Sequence, residues 1–325
     1  MRAKISVMIL LLFLTVIIIS SSSTPRAEAY TTHTFMTGAW LGSLPSAYKN
    51  NIAYHNQLTG HQNKIIHTFV STSQDISEWR SAIDYVHSQG ALNLLTIEPR
   101  VNAYSDFSTV DINLGLLDDY FSDLAEELKN WQGDAEIWLR PMPEVNGNWS
   151  GWSVGDSEVN NSYKYMKAFQ RIVDIFRARG AYNVKFVYNV TWQNAGEGAS
   201  YTEAYPGDDY VDYLSIDGYN WGTTQDWSEW LSFREIFDEA YTALTNCSQR
   251  PVIISEFASA ENGGDKAAWI TDASNQILAG VYPRLIGLVW FNENKETDWT
   301  VHSSESALNS FKIMAKTLAL HQINQ

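Results

Sequence analysis

Eight short apolar runs, spaced by longer segments in which apolar residues return every three or four positions, confine this chain to very few architectures. The runs are residues 35–41, 64–70, 91–97, 136–140, 184–190, 211–216, 251–256 and 285–290. Their Val, Ile, Leu and aromatic content suits strands buried on both faces. Between them lie helical series: Ile76, Trp79, Ile83, Val86; then Leu117, Phe121, Leu124, Leu128; then Tyr165, Phe169, Ile172, Phe176. Asp75 and Ser157 stand where two of these helices can start, and Gly90 and Gly180 where two should stop. Repeated strand-then-helix units predict a single α/β domain, a (β/α)8 TIM barrel. A doubly wound open sheet is the alternative, but no glycine-rich phosphate loop follows any of the runs.

Catalytic groups of such barrels sit at the C-terminal ends of the strands, and two of these ends carry an acid. The fourth run breaks at Pro141 and Pro143 and delivers Glu144 into RPMPEVNGNWSGW, residues 140–152. The seventh ends on Glu256, in PVIISEFAS. Around Glu144 lie Asn146, Trp149 and Trp152, and indole faces stack on sugar C–H faces while amides bond hydroxyls. A solitary Glu would read as a solvated turn residue. Paired strand-end acids are what a retaining glycosidase requires, with carboxyls about 5–5.5 Å apart. The other strand ends are aromatic or amide-bearing as well: Trp40 and Gly42; Asn189 and Trp192; Asp217, Tyr219 and Trp221; Trp290 and Asn292. Of 13 tryptophans, Trp40, Trp149, Trp152, Trp192, Trp221, Trp290 and Trp299 fall on this rim. Core packing can claim one or two of them, Trp290 first.

Arg2 and Lys4 precede an apolar stretch from Ile5 to Ile19, then four serines and Ala27-Glu28-Ala29. This is the pattern of a secretory signal peptide over residues 1–29, cleaved before Tyr30, and the stretch is short for a membrane anchor. The expected mature domain is 30–325, extracellular and monomeric. Losing Arg2, Lys4, Arg26 and Glu28 takes the formal charge from −15 to about −17. So acidic a chain is a poor partner for nucleic acid or an anionic membrane, whereas a neutral polysaccharide is compatible. Cys247 is the only cysteine, so no intramolecular disulfide forms, and a buried inert thiol is expected. The seven histidines form no HxH or HExxH, and GxSxG and P-loop motifs are missing. No metal or cofactor is expected, and esterase and kinase readings lose their signatures.

Together RPMPEVNGNWSGW, IDGYNWG after the sixth strand, ISEFAS at the seventh and WFNENKETDW after the eighth resemble glycoside hydrolase family 26, in clan A. The resemblance spans nearly all of the mature chain. It implies a (β/α)8 barrel, retention of anomeric configuration, Glu144 as acid/base, Glu256 as nucleophile, and Tyr219 as the tyrosine that steadies the nucleophile. Most mannan-cleaving members of that family carry His immediately before the acid/base, where this chain has Pro143. Proline offers neither a side-chain polar group nor an N–H there. The expectation therefore leans to mixed-linkage β-1,3-1,4-glucan ahead of β-mannan and β-1,3-xylan, with endo action.

In this reading Glu144, its pKa raised to roughly 6, protonates the leaving oxygen while Glu256 attacks the anomeric carbon. Trp40, Trp149, Trp152, Trp221 and Trp290 form the stacking surface, and Asn146 and Arg140 position sugar or nucleophile. The plainer readings are loop-fixing for Asn146 and a barrel-interior ion pair for Arg140. Glu98 either binds a hydroxyl or pairs with Arg100 or Arg140, and Asp298 with Trp299 closes a distal subsite or forms a solvated loop. Sequons at Asn148, Asn160, Asn189 and Asn246 would block the rim at Asn148 or Asn189 if glycosylated. A carbohydrate-binding protein without catalysis would keep the tryptophans but release no reducing ends.

Overall fold

The computed structural model describes residues 32–42 and 48–324. The expected leader, residues 1–29, lies outside them. Eight parallel strands close into a barrel: β1 (Met36–Trp40), β2 (Ile65–Ser71), β3 (Leu92–Glu98), β4 (Ile137–Pro141), β5 (Val184–Thr191), β6 (Tyr213–Asn220), β7 (Val252–Ser259) and β8 (Leu285–Phe291). Each pairs with its successor in the chain, and β8 returns to β1. All eight apolar runs became these strands, because residues apolar on both faces need a barrel interior on one side and helices on the other.

Among the described residues seven longer helices cover the outside, besides one short turn of helix at Thr109–Asn113: α1 (Tyr48–Thr59), α2 (Ile76–Ser88), α3 (Asp118–Leu128), α4 (Ser162–Arg179), α5 (Phe233–Cys247), α6 (Lys266–Leu278) and α7 (Glu305–Leu318). Asp75 caps α2 in a reciprocal box with Glu78, and Gly180 ends α4 at φ 78°, a left-handed position that costs glycine nothing. Two expectations fail. Ser157 does not cap α4; its hydroxyl serves a preceding turn, and Asn161, whose side chain accepts from the Lys164 N–H, starts the helix. The crossover from β5 to β6, residues 192–212, is built of turns instead of a helix. Gly196, Gly198, Pro206 and Gly207 break any helical run there, and Tyr201, Ala204 and Val211 fill the gap in the outer layer.

Register matters most at β7. Ile254 pairs with Ile216 and Glu256 with Asp217, so two residues of β7 advance against one of β6. Successive side chains of a regular strand point to opposite faces. The bulge relaxes that rule: Ser255 and Glu256 are consecutive, yet Arg140 inside the barrel donates to both.

Candidate active site

Strand β4 and the loop after it place Glu144. Met142 (φ 52°) and Glu144 (φ 56°) both occupy the left-handed region, each followed or preceded by Pro143, which narrows the backbone further. Such a conformation persists only if its surroundings hold it. Tyr165 Oη donates to the Met142 carbonyl at 2.6 Å, Trp152 Nε1 to the Pro143 carbonyl at 2.7 Å, and the Glu144 N–H to Asn189 Oδ1 at 2.6 Å. The loop is thus fixed from α4, from its own continuation and from β5. The Glu144 side chain then reaches a cleft of about 830 Å³ at the C-terminal mouth of the barrel, where its Oε2 accepts from Trp149 Nε1 at 2.8 Å.

Glu256 lines the same cleft. Its Oε1 accepts from Arg140 Nη2, and its Oε2 accepts from Tyr219 Oη at 2.5 Å. Both oxygens are therefore hydrogen-bond acceptors. Glu144 differs: burial first, then the Glu256 carboxylate, push its carboxyl up to about 7, against the opposing Trp149 hydrogen bond and Arg140 charge. The two carboxyls thus share a cleft in different surroundings, Glu144 favouring its neutral form and Glu256 accepting from a guanidinium and a phenol.

Beneath Glu256 lies a buried polar layer. Arg140, fully buried, donates from Nη1 to Asp217 Oδ2 at 2.6 Å and to Ser255 Oγ at 3.0 Å, and from Nε to Thr96 Oγ1 at 2.6 Å. Burial works against its cation, but the carboxylates of Asp217 and Glu256 outweigh it and leave the guanidinium more basic than usual. Burial, then the Arg140 charge, hold His67 well below its ordinary pKa, so it is neutral. Arg140 can only donate, so His67 Nε2 accepts at 3.1 Å and the ring proton sits on Nδ1.

The aromatic lining is close to expectation with one exchange. Trp40, Trp149, Trp152, Trp192, Trp221, Trp299 and Trp227 border the cleft. Trp227 is 70% exposed and packs edge-on against Trp221 at 5.3 Å. Trp290, expected in this set, is a core residue with no exposure, packed against Phe257 and Phe311 and donating from Nε1 to the Trp299 carbonyl at 2.8 Å. It lies inside strand β8, where alternation turns its ring outward to α6 and α7 rather than to the mouth. Trp152 shows the cleft little more than an edge, being 1% exposed. Trp40 presents its ring with Nε1 tied to Glu293 Oε2 at 2.9 Å.

Asn146 and Arg140 do not border the cleft, so neither meets substrate in this arrangement. Asn146 is buried, and its amide ties the loop after β4 to the end of β5 through Thr191 and Asn194. Glu98 borders the cleft but is gripped by Arg100 through two hydrogen bonds of 2.9 and 3.0 Å. Asp298 turns back on the N–H and hydroxyl of Thr300, while Trp299 forms cleft wall against Tyr219 and Trp221. The Asn189 and Asn160 side chains are buried in hydrogen bonds, leaving Asn148 and Asn246 as exposed sequons. Cys247 is exposed at the end of α5, not buried, because its position falls off the apolar face of the helix. Among the described residues no group of three or more His, Cys, Asp or Glu could hold a metal.

Sequence reasoning missed His67, Thr96 and Ser255 in the layer under Glu256, and Trp227, Glu293, Lys295 and Glu296 on the cleft wall. A signal existed for the first group: each is a polar residue inside a mostly apolar strand run.

Comparison with known proteins agrees with this geometry. The chain is 48% identical over 277 residues to Endoglucanase H of Acetivibrio thermocellus, covering 85% of this chain and 30% of that protein. It is 22% identical over 207 residues to a mannan endo-1,4-beta-mannosidase of Bifidobacterium adolescentis, covering 58% of this chain and 20% of the other. It thus spans less than a third of either curated relative. Similar folds include the catalytic domain of an endo-β-1,4-mannanase from a Bacillus species (TM-score 0.66, 17% identity, 88% of this chain and 86% of that one). A β-mannanase from Bacteroides ovatus is comparable (TM-score 0.64, 16% identity, 88% and 89%). Residues 95–276, which carry Glu144, Tyr219 and Glu256, match glycosyl hydrolase family 26, and with more than half of its length inside that match the chain belongs to this family.

Proposed function

We propose that this protein is a secreted, retaining endo-β-glycanase whose lead substrate is mixed-linkage β-1,3-1,4-glucan. The observation that carries the mechanism is the pair of carboxyls sharing one cleft, Glu256 held by Arg140 and Tyr219 and Glu144 in surroundings that favour its neutral form. Glu144 donates its proton to the departing glycosidic oxygen as Glu256 attacks the anomeric carbon, the C–O bond breaking with the leaving chain taking the proton. Water deprotonated by Glu144 then displaces Glu256 and restores both groups. Arg140 and Tyr219 orient the nucleophile, and as the glycosyl–Glu256 ester forms, Tyr219 Oη is free to rotate toward the sugar ring. Trp149 and Trp227, both largely exposed, and the half-buried Trp221 supply stacking faces in the cleft for a glycan chain.

Two points support glucan over mannan. Pro143 removes the His that most mannan-cleaving members carry beside the acid, and 48% identity links the chain to a protein named an endoglucanase. A mannan reading keeps the support of the mannosidase relative. Reducing-sugar release from barley β-glucan, lichenan, galactomannan and β-1,3-xylan separates them. β-Glucan and lichenan are expected to be cut; cleavage of galactomannan alone would overturn the substrate and leave the mechanism. Glu144→Ala and Glu256→Ala should each lower kcat on the order of 10³-fold with substrate still bound. Azide should restore turnover of an activated substrate by Glu256→Ala with an inverted glycosyl azide as product. A retained azide from that variant would assign the nucleophile elsewhere.

A further inference from the structure

Lys266, the first residue of α6, is an uncommon object: a lysine with no exposure and no carboxylate within ion-pairing distance among the ion pairs of the described residues. Its three ammonium protons have three acceptors, the Thr300 carbonyl at 2.8 Å, Ser303 Oγ at 2.9 Å and the Asp298 carbonyl at 3.4 Å. Desolvating a cation is costly, and such a residue is seldom kept for packing alone.

Its acceptors explain what it holds. The Asp298 and Thr300 carbonyls flank Trp299, whose own carbonyl accepts from Trp290 Nε1 at 2.8 Å. Three successive carbonyls of the loop after β8 are therefore captured from below, two of them by one ammonium that also lies 5.6 Å over the Trp290 ring. With its backbone pinned, the Trp299 indole, only 1% exposed, backs two cleft-lining rings, 5.2 Å from that of Tyr219 and 4.9 Å from that of Trp221. Tyr219 is in turn the donor to Glu256.

We propose that Lys266 is a positioning residue that, from outside the cleft, holds Trp299 and with it the cleft-lining Trp221 in place. The proposal rests on the reading of the cleft as a glycan site. It assigns to a residue that touches no substrate a share of substrate binding, exerted through the loop backbone.

Steady-state kinetics on β-glucan test it with a mutant cycle. Lys266→Met, which keeps the stem and removes the charge, is expected to raise KM about tenfold while kcat falls less than about threefold. Trp299→Ala should raise KM by a similar factor, and the double variant should be no worse than Trp299→Ala alone, because both act on one contact. Additive KM effects, or a Lys266→Met enzyme with KM within about twofold of the parent, would overturn the proposal. If Lys266→Met does not fold, Ser303→Ala removes one of the three acceptors and takes its place in the same cycle, with a KM rise that must vanish in the Trp299→Ala background. Failure of the glycanase reading looks different: the parent protein would then release no reducing ends at all.

Discussion

Glu144 sits in a strained backbone, in a cleft that favours its neutral form, beside a second carboxylate. Each of these features works against the folded state and in favour of the chemistry. A proton donor is needed in the first step, so kcat/KM is expected to fall as pH rises through about 7, with a pH–rate profile on a soluble β-glucan as the check. The same shift has a stability consequence. A carboxyl whose folded pKa is raised from 4.5 to about 7 contributes stability that is complete below 4.5 and lost as pH rises through 7. Replacing it by an uncharged isostere removes that loss. Glu144→Gln should therefore melt about 2 °C or more above the parent at pH 8, with little difference at pH 4, while activity disappears. Equal melting shifts at both pH values would mean that charge is not the cause.

Gly218 shows how closely the barrel and its outer layer meet. A Cβ there would stand 2.6 Å from Ile236 Cγ2 and 2.8 Å from Phe237 Cε1, two fully buried side chains of α5. Gly218→Ala is expected to cost about 1–3 kcal/mol by urea unfolding. Because Asp217 and Tyr219 are its neighbours on β6, kcat should drop as well; an unchanged enzyme of normal stability would mean that α5 yields freely. At this level much was legible in the sequence. Every barrel strand was announced by its apolar run, and Asp75 and Gly180 marked helix ends, since caps and periodicity are local properties. The helix-free crossover from β5 to β6 was not, because a (β/α)8 pattern invites an eighth helix while Gly196, Gly198, Pro206 and Gly207 deny it.

Across the molecule, charge is uneven in a way that bears on substrate. The cleft is lined by Glu98, Asp106, Glu144, Glu256, Glu293 and Glu296 against Arg100 and Lys295, and Arg100 is already engaged by Glu98. The whole chain carries a formal charge of −15. Such a groove admits neutral glycans and repels anionic ones. Hydrolysis of a carboxymethylated glucan should be slower than that of the neutral polymer and should speed up as salt rises from about 0.01 to 0.3 M, as the Debye length shrinks. Rates on the two polymers with the same salt response would remove electrostatics from the account.

The order of residues alone determined that eight strands form, that Glu144 and Glu256 stand at the ends of the fourth and seventh, and that aromatic and amide side chains gather at those ends. These follow from where apolar runs start and stop, which neighbouring residues decide. Direction was another matter. Folding turned Trp290 into the core and brought Trp227 to the cleft; it made Asn146 a loop tie and Arg140 a support beneath Glu256. It also placed a bulge in β7 that lets Ser255 and Glu256 face inward together. A side chain's direction at a strand end depends on register with the next strand and on what packs behind it, and both come from residues far away in the chain.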